Sequence, residues 1–171
     1  MLFYALSIGG GLFGLLLLWS WFVQKMTAGI PPAVVEISKI PLVSGASAKI
    51  CVRQPGPATF KTLRANLICL RRKKKQLVAG ATAGKTGHSK TWVDRQVYDQ
   101  NLIDVYEVQP STGDEWIDQA DFYVPPDQPL SMMKKDLQIA WRIEVWGRVG
   151  FGIGVMHSFD VRVAAENEEP G

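Results

Sequence analysis

Residues 1–24 carry no charged side chain and are apolar almost throughout, from Leu2, Phe3, Tyr4, Ala5 and Leu6 to Leu15, Leu16, Leu17, Leu18, Trp19, Trp21, Phe22 and Val23. At about 1.5 Å per residue, a helix of roughly 22 residues extends about 33 Å, enough to cross a hydrocarbon core about 30 Å thick. The pattern predicts a transmembrane α-helix over 1–24. A cleaved signal peptide is the competing reading, and it ordinarily joins a basic start to an apolar core of about 7–15 residues and a small-x-small cleavage site. Here no basic residue precedes the run. It ends in Trp19, Trp21 and Phe22, amphipathic or aromatic rings suited to a headgroup boundary, with Lys25 just beyond.

After the span the period of the pattern changes to two. Leu137, Ile139, Trp141, Ile143 and Val145 alternate with Gln138, Ala140, Arg142, Glu144 and Trp146, which reads as a strand with one buried face. His157, Phe159, Val161 and Val163 alternate in the same way with Ser158, Asp160 and Arg162, and the glycine-rich stretch 147–154 suits a bulged turn, so the two predict a hairpin. Further strands are expected at 34–40, 48–53, 58–71, 91–98, 102–109 and 117–124. They are punctuated by Pro55-Gly56-Pro57, the glycine- and lysine-rich segment near Gly84, Pro110-Ser111-Thr112-Gly113 and Pro125-Pro126. The expected fold is mainly β: a transmembrane helix, a linker over 25–33, a seven- to eight-stranded antiparallel β-sandwich over 34–165, and an acidic tail over 166–171.

The stretch Asp121-Phe122-Tyr123-Val124-Pro125-Pro126, then Pro129-Leu130-Ser131, then the strand from Ile139 to Val145 and the final run His157-Ser158-Phe159-Asp160-Val161-Arg162-Val163 resembles one lobe of the arrestin-like sandwiches. An aromatic-x-x-Pro edge, a Pro-Ser turn, a long strand and a closing Phe-x-Val-x-Val strand follow one another in that family in this order. The resemblance spans 34–165. It implies an interaction module rather than an enzyme, and carries no functional residue over to this chain, which has a single lobe and an N-terminal span in place of the full two-lobed pattern.

Charge adds a second layer. The net charge of +3 conceals an asymmetry: no acidic residue occurs from Ser38 to Trp92, where twelve Lys and Arg stand, whereas fifteen of the sixteen acids lie from Asp94 onward. Either the two halves fold face to face and the charges cancel, or they occupy separate faces and give a strong dipole. Lys25 and Lys39 follow the span and only the amino terminus precedes it, so the positive-inside tendency places the sandwich in the cytoplasm. The run Arg71, Arg72, Lys73, Lys74 and Lys75 is read as a charged strand end that is either solvated or in contact with anionic lipid or an acidic partner face. Nucleic acid is not expected, since no aromatic side chains interleave the run to stack bases.

Residues that carry chemistry do not converge. A hairpin turning at Gln54-Pro55-Gly56-Pro57 would set Cys51 opposite a residue near Lys61, so Cys51 and Cys69, the only cysteines, are read as free and small. With only His88 and His157 beside them, they fall short of metal-site spacing, and no metal or cofactor is expected. Gly80-Ala81-Thr82-Ala83-Gly84-Lys85-Thr86 is one residue short of a phosphate-binding loop and lacks the strand-to-helix setting that loop needs. Ser89 beside His88 has no orienting third group, and Asp114, Glu115 and Asp118 read as a solvated turn. Within the span, Ser7, Gly10, Gly11 and Gly14 supply small residues four apart, which permit close helix packing in lipid.

Taken together, these features predict a single-pass membrane-anchored sandwich that acts as a non-catalytic accessory or stabilising subunit of a larger membrane complex, of respiratory or photosynthetic type. Its partners would be integral membrane subunits held through Ser7, Gly10, Gly11 and Gly14 and through the sandwich. The alternative is a free-standing tethered adaptor that recruits soluble proteins.

Overall fold

The computed structural model describes residues 17–25, 27–77 and 89–165. Among the described residues ten strands follow in order: β1 (Val34–Ile37), β2 (Leu42–Val43), β3 (Ser47–Pro55), β4 (Phe60–Leu77), β5 (Ser89–Val108), β6 (Glu115–Tyr123), β7 (Met132–Met133), β8 (Leu137–Arg148), β9 (Gly154–Val161) and β10 (Val163–Ala164). One three-stranded sheet is ordered β1-β3-β6. The other is ordered β5-β4-β8, with β7 and β9 both pairing along the far edge of β8. β2 and β10 form a small parallel pair that closes the side of the sandwich, a departure from the all-antiparallel expectation.

The period-two pattern fills the space between the sheets. Ala48, Ile50 and Val52 of β3 and Phe122 of β6 face Leu63, Ala65, Leu67 and Cys69 of β4 and Trp141, Ile143 and Val145 of β8, all of them buried. Trp141 can be buried because its indole Nε1 donates to the Pro129 carbonyl at 2.8 Å, leaving no stranded donor. Gln54 is the one buried polar residue among those described, and its Nε2 donates to the carbonyls of Pro31 and Pro55.

Three sequence expectations are corrected. Segments 91–98 and 102–109 are not two strands but parts of the twenty-residue β5. Pairing with β4 skips Val97 and Leu102, two bulges that interrupt the alternation and mimic a break. The turn at 54–57 is not a hairpin: β3 pairs with β1 and β6, and the chain crosses there to the other sheet. Cys51 therefore stands opposite Gln119 and Glu36, while Cys69 is buried in the other sheet, and both are unbridged. The basic run is not a strand end either, because β4 continues through it to Leu77. The β8–β9 hairpin forms as expected around a 3-10 turn at Gly150–Gly152, and Gly113, at φ 87°, occupies the turn expected before β6.

The expected span lies mostly outside the described residues, and so do Ser7, Gly10, Gly11 and Gly14. Residues 17–25 are helical, and among the described residues no helix is long and apolar enough to cross a membrane. Phe22, Val23 and Ile30 pack against the sandwich core. Gly29 and Ile30 share a groove with Pro57, Ala58, Thr59, Val149 and Gly150, which puts the helix at the end of the sandwich where β4 begins.

Candidate interaction site on the long ribbon

β4 and β5 pair over their whole lengths, from Phe60 opposite Val108 to Leu77 opposite Ser89. β8 accompanies β4 only as far as Lys73, so beyond that point the two strands run on as a two-stranded ribbon. The run Arg71, Arg72, Lys73, Lys74 and Lys75 straddles this transition. Successive side chains of a strand point to opposite faces, and the run is divided accordingly.

Arg72 and Lys74 belong to the outer face, in line with Arg64 and Asn66, where every base has a neighbour on β5. Arg64 Nε donates to Asp104 Oδ1 at 2.9 Å, Asn66 Nδ2 to Asp99 Oδ1 at 2.9 Å, and Arg72 Nε to Asp94 Oδ2 at 3.1 Å. Lys74 Nζ stands 5.1 Å from the centre of the Trp92 ring, within cation–π range. The hydrogen bond to Asp104, reinforced by Tyr106, holds the Arg64 guanidinium further into its protonated range. Arg53 similarly bonds Glu36 on the other sheet, at 3.0 Å. The acid-poor and acid-rich halves thus meet strand against strand, and along the outer face the charge asymmetry of the sequence cancels.

Arg71, Lys73 and Lys75 belong to the opposite face, in line with the buried Leu63, Ala65, Leu67 and Cys69. Here the three-stranded sheet no longer covers them, and all three are exposed. Arg71 lies directly opposite Arg95 on β5 and beside Ile139 on β8; Lys73 lies between Val93 and Leu137; Lys75 is opposite Thr91. None of Arg71, Lys73, Lys75 and Arg95 forms an ion pair among the described residues. Like charges directly across a ladder oppose pairing, so Arg71 and Arg95 repel each other with no ion-pair partner among the described residues. Its floor is partly apolar, with Val93 42% exposed and Leu137 and Ile139 half-buried.

Sequence reasoning grouped the five bases as one site and missed Arg95, Asp94 and Trp92. Their signal was the alternation of β5 opposite β4, which becomes readable only once the two are paired. A second feature that it missed is a shallow outer-face groove of about 320 Å³ between Arg64, Asn66, Ile68, Glu144, Trp146 and Met156. At the other end, Trp19 and Trp21 are more than half exposed, Trp19 lies 6.1 Å from Phe22 between ring centres, and Lys25 Nζ is 5.9 Å from the Trp21 ring. The remaining sequence candidates are not brought together. Gly80, Gly84, Lys85 and His88 lie outside the described residues, Glu115 reaches Arg53 at 4.0 Å, and Asp118 accepts from the backbone of Gln119. Among the described residues no group of three or more His, Cys, Asp or Glu is placed to hold a metal ion. Burial raises the Cys69 thiol from about 9 to about 11, which keeps it protonated and unreactive.

No protein-family model matches the chain, and no curated protein matches it in sequence. Among solved structures, a β-glucosidase from Listeria innocua in complex with isofagomine aligns with a TM-score of only 0.32, at 15% identity over 77% of this chain and 16% of that one, and supports no shared fold. Spo0M, a sporulation control protein from Bacillus subtilis, aligns with a TM-score of 0.53 at 16% identity, over 80% of this chain and 51% of its own. This chain therefore spans about half the length of Spo0M. At that identity the likeness concerns the fold alone, and at that level the sandwich resembles the arrestin-like architecture.

Proposed function

We propose that this chain is a membrane-tethered, non-catalytic binding or stabilising subunit of a larger membrane complex, with the sandwich as its interaction module on the cytoplasmic side. The observation that carries the reading is the junction between the two parts. Residues 17–25 are helical and carry the N-terminal sequence, uncharged as far as Gln24, to the domain, and Phe22 and Val23 seat that helix on the sandwich core. A span continuous with such a helix holds the domain at a fixed attitude to the bilayer, which suits a subunit docked on neighbours. Trp19, Trp21 and Lys25 remain outward, where headgroups would surround them. Along the outer face of the long sheet polar side chains pair across strands, Arg64 with Asp104, Asn66 with Asp99 and Arg72 with Asp94, in keeping with recognition instead of catalysis.

Copurification of the full chain in mild detergent tests this. The same large membrane partners are expected in stoichiometric amount, and the chain should resist alkaline extraction from membranes. Substoichiometric soluble partners would make it an adaptor, and release by alkaline extraction would remove the span. Within the span, Gly10→Leu with Gly14→Leu should leave insertion intact but lower recovery with the complex, because two added side chains hold a neighbouring helix off. Leu15→Ala should change little.

A further inference from the structure

On the shelf formed by Arg71, Lys73, Lys75 and Arg95, four cations stand together with no ion pair among the described residues. We infer that it is a docking surface for an acidic segment of a partner protein, one that presents carboxylates and apolar side chains on the same face. Charge complementarity argues for the carboxylates, since Arg71 and Arg95 face each other across the ladder and an anion between them would turn repulsion into two favourable contacts. The floor argues for the apolar positions: Ile139 lies beside Arg71, while Val93 and Leu137 flank Lys73, so apolar side chains border the cations of the shelf. The other face of the same ribbon is an internal contrast, because Arg72 is engaged by Asp94 and Lys74 by Trp92.

Geometry selects protein over lipid, and this single step rests on the tethered reading. The helix sits where β4 begins, and Lys75 lies fifteen residues along that strand from Phe60, about 50 Å away at about 3.3 Å per residue. With β4 directed away from the bilayer, the shelf lies far beyond the roughly 8 Å over which a charged surface is felt at physiological ionic strength. A partner subunit that projects from the membrane can reach it.

The test uses the full chain in phosphatidylcholine nanodiscs and a fluorescent Glu–Leu peptide of the repeat Glu-Ser-Leu-Ser, which sets Glu and Leu on one face of an extended chain, with equimolar phosphatidylcholine–phosphatidylserine vesicles as the competing probe. Two double variants each remove two positive charges: R71Q/K73Q on the shelf and R72Q/K74Q on the outer face. Peptide binding should fall about fivefold or more in the first and less than about twofold in the second, as expected for the loss of two exposed charge contacts at only one of the faces. R95Q, from the opposite strand, should reproduce part of the loss, and R71E/K73E should gain binding to a Lys–Leu peptide, which a misfolded ribbon would not do. Equal losses in the two double variants would reduce the effect to net charge and overturn the inference, as would the absence of peptide binding. Shelf-dependent binding to the vesicles in preference to the peptide would assign the surface to lipid instead. Alkaline extraction, which reports on the span, is independent of all these outcomes.

Discussion

β4 is one strand with two lives. From Phe60 to Cys69 its inward positions are Leu63, Ala65, Leu67 and Cys69, closed over by the second sheet; from Leu70 to Lys75 the same face carries Arg71, Lys73 and Lys75, all exposed. The backbone ladder to β5 is continuous through both halves. What differs is the source of stability, which is apolar burial in the first half and pairing with β5 alone at the far end of the second. Substitutions in the two halves should therefore differ in size and in kind, with the core half governing whether the domain folds and the ribbon half governing what it holds.

The largest effect is expected at Trp141, which faces the inner half of β4 next to Cys69. Trp141→Ala removes a fully buried ring, its 5.5 Å contact with the Tyr98 ring and the hydrogen bond to Pro129. Denaturant unfolding should record a loss of about 3–5 kcal/mol. A loss under about 1 kcal/mol would mean that the two halves of β4 do not differ as described. Gly147→Ala probes the same half from the opposite direction. A Cβ there would collide with Cε1 and Cδ1 of Phe60, so the ring must move within a filled core, at an expected cost of about 1–3 kcal/mol. Triple replacement of Arg71, Lys73 and Lys75 by Gln should, by contrast, shift the same unfolding curve by less than about 0.5 kcal/mol.

This contrast also marks what was legible in the sequence. The core half of β4, and all of β8, announced themselves because apolar and polar residues alternate, and that alternation is the physical requirement for one dry face. The ribbon half has no such contrast: five bases in succession say nothing about which point where. The partners that resolve them are remote, Asp94 lying 22 residues from Arg72 and Asp104 lying 40 from Arg64. β5 reads as two strands in sequence because Val97 and Leu102 are extra residues that reset the period, and because Asp99, Gln100 and Asn101 between them resemble turn chemistry. The crossing at 54–57 carried the same proline and glycine signals as a hairpin. Sequence marks where the chain turns, but the choice between returning to the same sheet and crossing to the other depends on which strands β3 finds as neighbours, a long-range matter.

Cys69 sits at the boundary between the halves, and its titration sharpens the comparison. Burial raises the thiol from about 9 to about 11. Below about pH 9 both folded and unfolded chains hold the proton, so the thiol adds no pH dependence. Between 9 and 11 the unfolded chain releases it while the folded one retains it, so stability falls as pH rises. The fall should reach about 1 kcal/mol by about pH 10 and should be absent in Cys69→Ala once the baseline loss from the smaller side chain is subtracted. An unchanged slope in the variant would mean that water reaches the core at this level. Cys51, half-buried on the other sheet, should react with thiol reagents in the folded chain well before Cys69.

The smallest effect is also the one that separates stability from binding most cleanly. Arg95 and Arg71 are directly opposed on the shelf, and like charges in that position oppose strand pairing by about 0.2–1 kcal/mol. Arg95→Glu replaces the repulsion by an exposed cross-strand ion pair, so the domain should become more stable by a few tenths of a kcal/mol at low salt, with the gain shrinking as salt is added. The same change neutralises Arg71 as a ligand and adds a negative charge to the shelf, so binding of the Glu–Leu peptide should fall. A substitution that stabilises the fold while weakening recognition is the signature of a residue kept for its partner. Charge-reversal measurements by chemical denaturation and peptide titration on one preparation decide the matter: if Arg95→Glu destabilises the chain, the two arginines are not competing across the ladder, and if it strengthens peptide binding, the shelf does not recognise acid.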